Sequence, residues 1–169
     1  MPALSFRLLA TCITACSALS TPAQSLDRTT NIEWQTFVVQ EFGTRVQYPA
    51  NIFVPAGRPG KGIGQKFNSA DGRAELSIYS IQNEAGETPA TYLRRNLRMD
   101  RSALDYTRIA RSFFAISSER DGIILYSRCN FSRSGRAIHC FDLLYPQEEK
   151  RSWDAVVTRI SLSLRPLEG

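Results

Sequence analysis

The spacing of apolar positions along the chain switches between a two-residue period and a three- or four-residue period, and each switch marks a new element. Residues 26–33 are polar, and Trp34 marks where packing begins. Stretches 35–42 and 44–48 read as extended: Phe37, Val38 and Val39 lie in the first, and Val46 and Tyr48 alternate with Arg45 and Gln47 in the second, which Pro49 ends. Phe53-Val54 is a short apolar patch. Residues 57–64 (Gly-Arg-Pro-Gly-Lys-Gly-Ile-Gly) read as a flexible loop that opens into Gln65-Lys66-Phe67-Asn68 and a turn over 69–72. A clear strand follows over 73–81. Its alternation places Ala74, Leu76, Ile78 and Ser80 on one face and Glu75, Ser77 and Tyr79 on the other.

Thr88-Pro89 has the chemistry of a helix start, an N-cap followed by proline at the first helical position. The helix is expected to run to about residue 100, with Ala90, Leu93 and Leu97 inward and Arg94, Arg98 and Arg101 opposite. Stretches 106–111 and 112–118 read as strands, and Asp121-Gly122 as a hairpin turn. Residues 148–164 have the helical period, with Trp153, Val156, Val157, Ile160 and Leu164 on one stripe and Glu148 and Glu149 where the helix dipole favours anions. The inventory is six or seven mainly antiparallel strands packed with two helices, an α+β sandwich.

Between the last turn and the last helix, residues 121–146 form the strongest local signal in the chain. Two runs of β-branched, aromatic and aliphatic residues flank a polar Ser-Arg-Ser-Gly-Arg turn, the pattern of a β-hairpin. With Ser134-Gly135 as a two-residue loop, Cys129 falls opposite Cys140, in a hydrogen-bonded pair whose Cα spacing lies within disulfide range. A longer or bulged turn shifts that register. Two free buried thiols are the alternative to a disulfide; the absence of a C-x-x-C motif speaks against redox catalysis.

Composition adds a compartment. Residues 1–25 carry a single charge, Arg7, then an apolar run over 8–19 and Thr-Pro-Ala at 21–23. That is the layout of a secretory signal, with an apolar core too short to span a bilayer and small residues at the cleavage site. Residues 1–23 are therefore expected to be a signal peptide cut after Ala23, leaving 24–169 as one globular domain, periplasmic or secreted. Cleavage after Ser25 is the near alternative. A second is lipidation at Cys16, where Ile-Thr-Ala-Cys at 13–16 loosely resembles a bacterial lipobox. An even number of cysteines in an exported domain favours the disulfide.

The order of signals resembles the PsbP/Mog1-like α-β-α sandwich. The resemblance rests on Val46-Gln47-Tyr48-Pro49 ending an early strand, the glycine-rich segment leading to 67–76 (Phe-Asn-Ser-Ala-Asp-Gly-Arg-Ala-Glu-Leu), the helix after Thr88-Pro89, the hairpin ending Leu143-Leu144-Tyr145-Pro146, and the last helix running into 161–166 (Ser-Leu-Ser-Leu-Arg-Pro). The chain is also similar to small exported proteins of α-proteobacteria. The superfamily spans photosystem extrinsic subunits, a nuclear-transport factor and bacterial lipoproteins. The resemblance implies a binding or assembly role and brings no catalytic residues with it.

Little in the residues argues for chemistry. The formal net charge is +5, and the basic clusters are interleaved with acids, so nucleic acid is not an expected partner. His139 is the single histidine, so any Ser-His-Asp or Cys-His arrangement must use it. Alternation turns it away from Cys140 and sets it across from Asn130, as a polar pair on a strand surface. One histidine and two cysteines do not furnish a zinc tetrad, no acidic run has calcium-loop spacing, and no cofactor motif is present. Asp142 and Glu75 are carboxylates available for pairing across the fold, though nothing in the sequence pairs them. Two basic groups are candidates for an anion or a partner: Arg58, Lys61 and Lys66 in and beside the glycine-rich loop, and Arg94, Arg98 and Arg101 on the first helix, the latter able to touch an anionic surface peripherally. The expectation is an exported, non-enzymatic binding or assembly domain for a protein or an anionic envelope component. The alternative is a periplasmic hydrolase with a scattered carboxylate or Ser/Tyr site.

Overall fold

The long hairpin is the spine of the molecule, and the other strands are laid down on either side of it. The computed structural model describes residues 31–96 and 101–166. In chain order the elements are β1 (Trp34–Val39), β2 (Thr44–Pro49), β3 (Phe53–Gly57), β4 (Ile63–Ser69), β5 (Glu75–Gln82), α1 (Pro89–Asn96), β6 (Tyr106–Ile109), β7 (Phe113–Arg120), β8 (Ile123–Phe131), β9 (Ala137–Pro146), α2 (Lys150–Ser163) and β10 (Arg165–Pro166). Short 3-10 turns lie at Arg101–Ala103 and Gln147–Glu149. Strands β3-β4-β5-β9-β8-β7-β6 form a seven-stranded sheet, and β1-β2-β10 a separate three-stranded one. Every pairing is antiparallel. The chain is an α+β sandwich, as the pattern predicts. The signal segment 1–23, Cys16, Leu97, Arg98 and the side chain of Arg101 lie outside the described residues.

The two faces of the large sheet are covered differently. On one face the α2 stripe of Trp153, Val156, Val157, Ile160 and Leu164 packs with Val46, Phe53, Phe67, Leu76, Ile78, Phe141, Leu143 and Tyr145. Trp153 is the hub, its ring 5.6 Å from that of Tyr145 and 5.8 Å from that of Phe53. The small sheet lies over the same face and seals it. On the other face a smaller cluster joins Tyr79, Phe114, Ile116, Ile138 and the two cysteines to Tyr92 and Leu93 of α1. Strand β5 is thus buried on both sides, with Leu76 and Ile78 in one core and Tyr79 in the other, as the alternation predicts.

Turn chemistry sets the registers. Asp121 (φ 52°) and Gly122 (φ 75°) are both left-handed, a type I′ pair that suits the twist of β7 into β8. At the other tip, Gly135 N–H donates to the Ser132 carbonyl at 2.9 Å and Ser132 N–H to the Ala137 carbonyl at 2.9 Å. The loop is therefore 133–136, wider than a two-residue turn but centred on the same point, so Cys129 still opposes Cys140 and Asn130 still opposes His139. What changes is the phase of the ladder. Counting from the bonded Ser132–Ala137 pair, Cys129–Cys140 is a non-hydrogen-bonded pair, the closer kind, and its Cα atoms are 4.1 Å apart. The two sulfurs are bonded at 2.05 Å.

Three other expectations are corrected. The glycine-rich stretch is shorter as a loop than it reads: Gly57 belongs to β3 and Ile63-Gly64 to β4, leaving 58–62 between them. Gly62 and Gly64 are there for close approach, since a Cβ would lie 2.4 Å from the Ser80 carbonyl oxygen at the first and 2.0 Å from that of Ile78 at the second. The inner side of α1 carries Tyr92 with Leu93, while Ala90 is only half-buried. Thr88 does cap it: its hydroxyl accepts the Thr91 N–H at 3.2 Å while the Thr91 hydroxyl accepts the Thr88 N–H at 2.9 Å. His139 is not on a surface. It is 1% exposed on the sealed face, because β2 of the small sheet crosses over it.

Candidate binding cleft

Alternation along β5, β9, β8 and β7 builds cross-strand rows on the less covered face. One row reads Glu75, Leu144 and Leu125; the next Ser77, Asp142, Ser127 and Ile116; the third Tyr79, Cys140, Cys129 and Phe114. Helix α1 stands on the third row, since Tyr92 stacks against Phe114 with ring centroids 6.1 Å apart. The loop 58–62 overhangs from the opposite side. Between helix and loop lies a cleft of about 550 Å³, walled by Tyr92, Leu93 and Asn96 on one side and Pro59, Gly60 and Lys61 on the other. The disulfide is part of the layer beneath it.

Asp142 sits on the cleft floor with its carboxylate fixed from both ends. The Tyr79 hydroxyl donates to Oδ2 at 2.9 Å and the Ser127 hydroxyl to Oδ1 at 2.5 Å. Burial, reinforced by the Asp142 charge, pushes the Tyr79 phenol well above its usual range, so it remains a donor. Burial and the same carboxylate also raise Tyr92. Asp142 is 18% exposed, enough to present its charge to the cleft. Lys61 responds to it: its ammonium lies 3.5 Å from Oδ2 and 5.1 Å above the Tyr79 ring. Glu75, at the cleft edge, holds Lys66 at 2.7 Å.

The basic candidates are thus placed in different circumstances. Lys61 and Lys66 are each engaged by a carboxylate of the large sheet, whereas Arg58 and Arg94 are exposed. Glu87 engages Arg95 rather than Arg94, at 2.6 Å. The two carboxylates that the sequence leaves unpaired, Glu75 and Asp142, line the same cleft. The sequence does not single out the Tyr79–Asp142–Ser127 cluster. Its only trace there is a set of polar residues at alternate positions of otherwise apolar strands.

His139 belongs to another arrangement. Its Nδ1 is 2.7 Å from the Thr44 hydroxyl, which is in turn hydrogen-bonded to that of Ser80, and its Nε2 has no hydrogen-bond partner among the described residues. Burial holds its pKa below the ordinary histidine value. Ser80 and His139 share the sealed face, so neither reaches the cleft. Asn130, across the ladder, instead donates to the Leu164 carbonyl at 2.7 Å and ties down the end of α2. A shallower groove of about 650 Å³ runs outside α2 between Gln47 and Arg165, partly filled by Arg159, whose guanidinium lies 4.3 Å from the Trp34 ring centroid. Among the described residues no helix is long and apolar enough to cross a membrane, and no group of three or more His, Cys, Asp or Glu side chains is placed to hold a metal.

Comparison with known proteins bears on the fold. No family model and no curated protein matches the sequence. Among solved structures, the solution structure of cyanobacterial PsbP (CyanoP) from Synechocystis sp. PCC 6803 is similar over 82% of this chain and 95% of its own, with a TM-score of 0.61 at 13% identity. The crystal structure of the Saccharomyces cerevisiae Ran-binding protein Mog1p is similar over 82% of this chain and 97% of its own, with a TM-score of 0.53 at 5% identity. At such identities the likeness is one of architecture. The chain has the PsbP/Mog1-like fold.

Proposed function

We propose that the protein is an exported binding or assembly domain, without catalytic chemistry of its own, that engages a partner protein at the cleft between α1 and the 58–62 loop. One observation carries this reading: the cleft floor presents a carboxylate immobilised by two internal donors and ringed by Tyr79, Tyr92, Leu93, Phe114 and Leu144. A fixed charge in an apolar surround is how small sites obtain orientation and specificity. Proton transfer asks for something different, a group within reach of the substrate and free to change its protonation state. The single histidine is buried on the far face. The hydrolase reading has in its favour that Glu75 and Asp142 line one cleft, yet both carboxylates already face a lysine. An anionic envelope component, the other expected partner, must compete with those same carboxylates for Lys61 and Lys66, which leaves Arg58 and Arg94 among the described candidates to attract it. The Ran-binding activity named for Mog1p is in keeping with a protein partner, and the low identity transfers no more than that.

Export agrees with the composition of residues 1–25, and mass spectrometry of the mature N-terminus tests it. A start at Gln24 supports signal-peptide cleavage; an acylated Cys16 supports the lipoprotein route; an intact Met1 overturns both. The cleft is tested by capture from envelope extract with two surface variants. Asn96→Trp places bulk at the exposed cleft rim, and Leu162→Arg alters the outer side of α2, where Leu162 is 76% exposed. Saturable capture lost in the first variant and retained in the second is the expected result. The reverse pattern removes the cleft from the proposal.

A further inference from the structure

The position of Lys61 is informative because it is a cation brought to the cleft by a loop. Its ammonium makes the two interactions by which proteins recognise an alkylammonium group: it lies 3.5 Å from a carboxylate oxygen and 5.1 Å above an aromatic ring. Tyr79 and Ser127 hold the carboxylate through bonds that do not involve Lys61, so the receptor half of the pair is built from residues of the sheet. The donor half is loosely held. The Lys61 side chain is 53% exposed, and it stands in a loop flanked by Gly60 and Gly62, the latter at φ 67°. Removing Lys61 from the cleft breaks no ladder hydrogen bond, since β4 begins beyond it at Ile63.

Resting on the reading of the cleft as a partner site, we propose that it is a receptor for the side-chain ammonium of a lysine on the partner protein, and that Lys61 is its resident, competing occupant. The partner's lysine replaces Lys61 over Tyr79 and against Asp142, and its neighbouring residues fill the rest of the cleft along Tyr92, Leu93 and Leu144. Charge complementarity selects this occupant over an acidic segment, because displacing Lys61 leaves the Asp142 carboxylate without its cation while Glu75 stays with Lys66. The cleft volume, about 550 Å³, suits a side chain with a short flanking stretch. An ammonium fits better than a guanidinium, since a compact cation meets one carboxylate oxygen and one ring face without needing a planar, two-pronged acceptor. The loop then acts as a latch that keeps the carboxylate paired until a partner arrives.

The test uses N-acetyl-lysine methylamide as the probe, followed through the amide signals of Tyr79, Tyr92 and Ser127 in titrations of the mature protein. Lys61→Ala binds the probe about two- to sixfold more tightly than the wild type, the relief expected from removing an exposed internal competitor. The norleucine analogue, equal in apolar length and lacking the ammonium, leaves the signals unmoved, and the arginine analogue binds more weakly than lysine. Asp142→Asn, which keeps an oxygen for Tyr79 and Ser127, loses the response. Equal affinity in wild type and Lys61→Ala, an equal response to norleucine, or no response in either protein overturns the proposal. These arms do not need Asp142→Asn to fold. Partner capture separates this inference from the one beneath it: capture that depends on Asn96 while Lys61→Ala fails to bind lysine keeps the cleft and discards the ammonium.

Discussion

Reducing the Cys129–Cys140 bridge tests how much of the hairpin's stability resides in the unfolded chain. The bridge spans a sequence separation of 11. A cross-link over so short a loop removes conformational entropy from the unfolded ensemble, about 2.8 kcal/mol at 25 °C on the chain-entropy relation. The native side of the balance changes little. Cys129 is 2% exposed and Cys140 is fully buried, both within the cluster of Tyr79, Phe114 and Ile138, so the thiols of the reduced protein remain packed where the sulfurs were. For a domain of about 140 residues the unfolding entropy is ~0.3 kcal/mol per kelvin, so the melting temperature falls by about 9–10 °C. Calorimetric melts with and without reductant measure the shift. Mass analysis under non-reducing conditions checks that the starting material lacks free thiols. A Cys129→Ala, Cys140→Ala double variant falls further, because it also removes buried sulfur from a packed row. A shift below about 2 °C in fully reduced protein would falsify the entropic account, since it leaves most of the expected effect missing.

Two further perturbations probe the faces of the sheet separately. Gly64→Ala sets a methyl 2.0 Å from the Ile78 carbonyl oxygen, which is backbone of the neighbouring strand, so β4 must separate from β5. Loss of more than about 3 kcal/mol in denaturant unfolding is expected, whereas Gly60→Ala, in open space, changes stability by less than about 1 kcal/mol. Similar midpoints for the two variants contradict the close approach. Burial lowers the pKa of His139 in the folded state below its unfolded value, so the unfolded chain takes up the extra proton in acid. Its contribution is present in full above the ordinary histidine value and is lost as pH falls through the folded pKa. The Thr44 hydroxyl bonded to it, and the Ser80 hydroxyl bonded in turn to Thr44, carry no charge to offset this. His139→Gln flattens the slope of stability against pH on the acid side; an unchanged slope assigns it to other groups.

Much of this architecture is legible in the sequence because the elements announce themselves by period and turn. The α2 stripe is buried at every position its spacing selects, and the opposition of Cys129 to Cys140 survives a wider turn because that turn is symmetric about the same point. What escapes the sequence depends on which element lies over a face. His139 and Asn130 oppose each other as expected, but whether such a pair is wet or dry is decided by β2, some ninety residues earlier in the chain. Likewise β10 is two residues long, and only its pairing with Arg45 and Thr44 makes it a strand. The cleft is less legible still. Lys61 and Asp142 are 81 residues apart, and their meeting requires the β4–β5 and β5–β9 pairings together with the reach of the loop.

The placement of the cleft follows from unequal cover on the two sides of one sheet. On the sealed side, a helix of 14 residues, about 21 Å long, is joined by three strands, and together they bury the rows from Leu76 to His139. On the other side the described α1 has 8 residues, about 12 Å, and packs on the Tyr79–Phe114 row and the aromatic ring of Phe131 beyond it. The rows containing Asp142 and Glu75 fall past its edge. The row beyond the described helix is polar at Ser77, Asp142 and Ser127, and of these the two serines are buried while Asp142 keeps part of its carboxylate open to the cleft. Solubility alone would be served by scattered surface charges. It does not call for a carboxylate clamped between a buried tyrosine and a serine, because each such bond gives up the freedom of two side chains. The clamp is useful when the charge must keep one position for a ligand that arrives with a fixed geometry. That is the physical ground for proposing recognition at the β5–β9–β8 face, with the face beneath α2 as its support.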